Sequence, residues 1–202
     1  MAFKRTEWVL IAFTTAYVLA FLGYFILISN REFVGYIATM VVLVLLVAWI
    51  HRSAQLPMTL LWALSGWGLA HMAGGGIRVG DGVLYNLVLV HLAGSGELTI
   101  LKYDQVVHFY GFGITAWLLW CLLRHNFPAL RGTKTILIFP ALASMGLGAM
   151  NEIVEFTAVL TVPNTNVGGY FNTALDLVAN GSGAVVAMIV IALWQHSPAL
   201  AQ

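Results

Sequence analysis

The sequence predicts an all-α polytopic membrane bundle of about six transmembrane helices, with a re-entrant or lid segment between the third and the fourth. Three observations carry that expectation. Of 202 residues, 60% are hydrophobic and only 8% are charged, against about 25% charged in a soluble domain. The apolar residues gather in runs close to the ~20 that a membrane-crossing helix needs. Most runs are separated by polar or Gly/Pro-rich breaks: "SNRE", "HRSAQLP", "RHNFPALRGTK" and "VPNTNVGG". The length suits a single integral membrane domain over 1–202, with two peripheral spans in 1–56 and a core carrying a polar site in 57–195.

The first apolar segment, 8–29, follows the basic "MAFKRTEW". It is too long for the apolar region of a signal peptide and reads as an uncleaved span. The second covers 33–50. The third, 57–74, opens on Pro57, which suits a first helical turn. Segments 103–123, 135–161 and 171–195 complete the set. Residues 75–102 are too broken by glycine for a clean span. A re-entrant segment, an interfacial helix or a β-hairpin is open to them, and each could form a lid.

Lys4, Arg5, Arg52, Arg124, Arg131 and Lys134 fall on one side of the membrane, and Arg31, Arg78 and Lys102 on the other. The positive-inside rule then places both termini in the cytoplasm. Trp8, Trp62, Trp67 and Trp194 suit interface anchors. The lone Cys121 excludes a disulfide framework and a thiolate metal site. A net charge of +1 points to no nucleic-acid partner. Membrane lipids are the expected surroundings.

Against this poverty of charge, the stretch "GLGAMNEIVEFTAVL" is unexpected. It puts Glu152 and Glu155 on one helix face inside an apolar run. Asp104 and His108 share a face at the start of the fourth span. Asp176 lies in the first turns of the sixth, with Asn180 one turn deeper, and His71 closes the third. All fall in the outer half of the bilayer. A carboxylate near mid-membrane costs ~2.5–3.5 kcal/mol on insertion scales, so these groups should face inward and meet. Carboxylates can gather only if some are protonated, if rim cations such as Lys102 and Arg78 reach them, or if a metal ion sits among them. Asp104, His108, Glu152, Glu155 and Asp176 are candidate ligands for a hard divalent cation (zinc, manganese or iron). A protonated or salt-bridged network and an ion or proton path are the other readings. "DQVVHFYG" and "DLVANGSG" share the pattern D-x-x-x-[HN]-x-x-G, so two helices could present an acid and a polar partner alike.

The order of D-x-x-x-H-F, then E-x-x-E, then D-x-x-x-N-x-x-G resembles the VanZ-like group of small bacterial membrane proteins. A histidine before glycines, then "YDQVVHFYGFG", "NEIVEF" and "NTALDLVANGSGA", is closer still to the YjdF-type inner-membrane proteins. The resemblance covers about residues 68–190 and carries over His71, Asp104, His108, Glu152, Glu155, Asp176 and, more loosely, Asn180. Phe156 stands where many YjdF-type members have tryptophan. The resemblance implies a bacterial inner-membrane protein and links it to envelope lipids or peptidoglycan precursors.

The resulting expectation is a membrane-embedded, metal-dependent hydrolase or transferase whose site opens toward the periplasm. Its substrate would be a lipid or a lipid-linked precursor. Glu152 or Glu155 would act as general base if not a ligand, and His71 as a proton shuttle. A proton- or cation-coupled transporter and a structural accessory subunit are the alternatives.

Overall fold

The structure is a computed structural model, and it describes residues 4–95, 98–163, 165 and 167–195. Six helices dominate it: α1 (Arg5–Leu27), α2 (Arg31–Ala54), α3 (Met58–Gly76), α4 (Tyr103–Asn126), α5 (Thr135–Thr161) and α6 (Tyr170–Gln195). Each matches an apolar segment of the sequence to within a few residues. Five are long and apolar enough to cross a membrane. The sixth, α3, has 19 residues, about 28 Å at the usual helical rise. The all-α polytopic bundle expected from composition is the architecture observed.

Local chemistry sets the helix ends. The Asn30 side chain accepts from the Phe33 amide and caps α2. Gln55 adopts a left-handed φ of 48°, and Pro57 then prevents α2 from running on into α3. At the head of α4, Gln105 Oε1 accepts from the Lys102 amide, while its Nε2 donates to the Thr99 carbonyl. Tyr103 donates to the Ala70 carbonyl and ties α4 to the end of α3.

Of the forms open to residues 75–102, the described residues show β-hairpins. β1 (Arg78–Val79) pairs antiparallel with β2 (Gly82–Val83), and β3 (Val88–Ala93) with β4 (Ile100–Lys102). A single 3₁₀ turn, Leu84–Asn86, stands between the two hairpins. The reason is glycine. Gly80 has φ of +57° at the first turn, and Gly94 has φ of +83° with the Leu98 carbonyl where a Cβ would sit. These are turn conformations, which close hairpins and break helices.

Packing divides the bundle. α4, α5 and α6 are mutually packed, α3 joins α4 to α1, and α2 packs mainly on α1. The closest approach is between α4 and α6. A Cβ built on Gly183 would lie 2.0 Å from the Phe109 carbonyl oxygen. Toward the cytoplasmic ends expected from the sequence, the bundle is filled with apolar side chains. Leu56, Leu60, Leu61, Ile114 and Leu118 form one cluster, and Ala116, Ala141, Ala184, Met188 and Ile191 another. A third cluster, around Phe25, Phe33 and Met72, joins α1, α2 and α3 at the opposite end.

Candidate functional site

The polar residues singled out in the sequence come together among α4, α5 and α6. Helical rise puts them about 2 to 15 Å below the helix ends that adjoin the hairpins. His108 is central and buried. Its Nδ1 lies 3.0 Å from Asn180 Oδ1, 3.8 Å from Glu152 Oε1, and its Nε2 lies 3.6 Å from Asp104 Oδ1. Only the first is hydrogen-bond distance.

That one bond has a consequence. An amide oxygen can only accept, so Nδ1 carries the proton and a neutral His108 presents its Nε2 lone pair toward Asp104. A lone pair then faces a carboxylate, which is acceptor against acceptor. A second imidazole proton, a proton on the carboxyl, or a bound cation would each resolve that clash.

Asp176 repeats the pattern. It is fully buried. Its Oδ2 accepts from Asn172 Nδ2 at 2.6 Å, and the same amide reaches Asp104 Oδ2 at 3.3 Å. One asparagine thus holds one oxygen of each carboxylate. Asp176 Oδ1 is buried with no hydrogen-bond partner among the described residues. Asp104, His108 and Asp176 can offer ligand atoms within 4.8 Å of one another, and so can His108, Glu152 and Glu155. The first set has its carboxylates oriented by Asn172 and its imidazole by Asn180, as outer-shell groups orient metal ligands.

On α5, Glu152 is buried and neither of its oxygens has a hydrogen-bond partner among the described residues. Glu155 is less enclosed and accepts from Asn151 Nδ2 at 2.9 Å. Gly148, one turn before Glu152, makes room for Asn180. A Cβ there would lie 2.7 Å from Asn180 Nδ2. Gly148→Ala should therefore displace the Asn180 amide and free the His108 ring, read as a change in the His108 side-chain NMR signals without loss of fold.

His71 stands apart from these two sets but borders them, within electrostatic range of His108. Its Nδ1 is hydrogen-bonded to the Tyr85 hydroxyl, which also lies 2.9 Å from the His71 carbonyl. Tyr85 belongs to the 3₁₀ turn, and its ring is pressed onto Gly74. Tyr85 thus links the hairpin segment to His71. Desolvation and the nearby Asp104 and Glu155 charges push the Tyr85 phenol well above its ordinary pKa, so it stays a donor at neutral pH.

Besides Tyr85, four polar groups at the site were missed in the sequence. Asn172 and Asn151 each lie four residues before a carboxylate, a helix-face spacing that was visible. Glu32 and Tyr36 come from α2. Glu32 is only 4% exposed, lies within electrostatic range of Glu155, and has Tyr36 beside it. It sits in the "SNRE" break, which reads as loop punctuation.

Residues 9–197, which include every site residue named above, match the family described as predicted membrane protein (DUF2238). The chain belongs to that family. Comparison with curated proteins and with solved structures gave no match. DUF2238 membership supports a multi-pass membrane protein in contact with lipid.

Asn172 gives a direct test of the site's construction. Asn172→Ala should leave both Oδ2 atoms without their shared donor. By analogy with outer-shell partners in known metal sites, divalent-cation affinity should fall about 10- to 100-fold. Cation titration of the purified variant by calorimetry checks this.

Proposed function

We propose that this DUF2238 protein is a membrane-embedded, metal-dependent enzyme. Asp104, His108 and Asp176 hold a divalent cation, and the substrate is a lipid or a lipid-linked envelope precursor. The observation that carries the reading is the unpaired acceptor set. The Nε2 lone pair of His108 faces Asp104, and the buried Asp176 Oδ1 has no donor among the described residues. Burying an ion costs several kcal/mol, and a cation bound by all three groups would offset that cost.

A divalent ion there, zinc, manganese or iron, would activate a bound water or polarise a carbonyl or phosphoryl oxygen. The chain's own residues do the rest. Glu152, whose oxygens have no hydrogen-bond partner among the described residues, takes the proton as general base. Glu155, held by Asn151, adds negative charge that favours the cation. Tyr85 donates toward His71, which relays a proton between the site and the outer segment. Motif likeness to VanZ-like and YjdF-type proteins supports a bacterial cytoplasmic membrane, and the lysine and arginine distribution supports both termini inside.

The apolar packing of Ala116, Ala141, Ala184 and Met188 closes the far side of α4, α5 and α6. A one-sided site fits that floor better than a through-path for ions does.

Elemental analysis of protein purified in mild detergent tests the proposal. Wild type should carry zinc, manganese or iron, Asp104→Ala should lose it, and Glu155→Ala should bind it more weakly. Metal-free wild type that takes up none of these ions when they are supplied would refute the reading. If such protein also showed pH-dependent ion flux in liposomes, the transporter would replace it.

A further inference from the structure

The β3–β4 hairpin is a poor match for water. All six residues of β3, Val88 to Ala93, are exposed, and five of them are apolar. Leu89, Val90 and Leu92 are 44%, 52% and 66% exposed. Val88 pairs with Lys102 and Ala93 with Ile100, so residues 89–92 bulge out of the ladder and carry these exposed apolar side chains. The sheet has two strands only, and an isolated two-stranded hairpin is at best marginally stable in water. The one polar side chain in β3 is turned inward on the hairpin, with His91 Nε2 donating to the Gly94 carbonyl at 2.8 Å.

The base of the hairpin is fixed at the membrane end of α4. The Tyr103 amide donates to the Leu87 carbonyl at 2.9 Å, and β4 runs straight into α4. Within the next two turns, Val106, Phe109 and Tyr110 are also exposed. The apolar surface of the hairpin thus continues the lipid-facing surface of the helix.

We propose that β3–β4 is inserted in the lipid leaflet nearest the polar cluster, with its exposed apolar side chains against acyl chains and headgroups. The open strand edges need hydrogen-bonding groups, which the headgroup boundary supplies and the hydrocarbon centre does not. The hairpin thereby anchors the head of α4, where Asp104 and His108 lie, to the leaflet. This proposal does not depend on the metal reading.

The test uses nitroxide labels on Leu89→Cys, Val90→Cys and Leu92→Cys in a Cys121→Ser background. The full chain is reconstituted in phosphatidylcholine–phosphatidylglycerol vesicles. Asp81→Cys, in the exposed turn of the first hairpin, is the aqueous control. At all three β3 positions, oxygen should relax the label more than a water-soluble nickel chelate does, with the reverse order at residue 81. Nickel-dominated relaxation at the β3 positions would overturn the proposal. So would shielding from both reagents at any of them, which would mean a second copy or another protein covers the hairpin.

Discussion

Asp176→Asn should make the metal-free protein more stable and the metal-supplied protein less stable than wild type. The first half follows from Asp176 Oδ1, a fully buried carboxylate oxygen without a donor among the described residues. Removing its charge while keeping its shape relieves a penalty of several kcal/mol. The second half follows from linkage. A cation at 100 times its dissociation constant stabilises the fold by about 2.7 kcal/mol, and the variant forfeits most of that. Thermal unfolding in detergent, with a chelator and then with added zinc, manganese or iron, reads both halves. A purely structural polar network predicts a different pattern, in which Asp176→Asn lowers stability by a similar amount with and without metal.

Gly183→Ala should be the most damaging single-methyl change in the bundle. The added carbon would stand 2.0 Å from the Phe109 carbonyl oxygen and 2.8 Å from its carbon. Both belong to backbone, so no side chain can turn away, and α4 must move off α6. Overpacking of this kind costs about 3 kcal/mol. The two helices carry Asp104, His108, Asp176 and Asn180, so cation affinity should fall along with stability. Gly146→Ala is the control. Nothing lies within 4 Å of its added carbon, and relief of helical glycine should stabilise by about 0.5–1 kcal/mol. Denaturation midpoints of the two variants in the same detergent check the contrast.

These effects show how unevenly the structure was written in the sequence. The helices were legible because membrane spans need long apolar runs, and the breaks between them carry Pro57, Asn30 and paired charges. The gathering of Asp104, His108, Glu152 and Asp176 was legible for the same reason, since charge is so rare here that its depth alone groups it. Glu32 escaped notice because Arg31 beside it made the pair look like a loop, although Asn30 caps a helix there and turns Glu32 inward. Asn172 and Asn151 carry no charge and fall outside the repeated D-x-x-x-[HN]-x-x-G pattern that marks Asn180. Tyr85 could not be placed at all, since its contact with His71 depends on how the hairpins fold back over α3. Which amide orients each side chain is likewise a matter of three-dimensional geometry, and the hold of Asn172 and Asn180 is what favours Asp104, His108 and Asp176 over the set built on Glu152 and Glu155.

Anomalous diffraction at the zinc, manganese and iron edges, on wild-type crystals grown without chelator, tests the central claim most directly. A peak about 2.0–2.3 Å from Asp104, His108 Nε2 and Asp176 Oδ1 is the predicted result. An imidazolium His108 hydrogen-bonded to Asp104, with no peak at any edge, would contradict it.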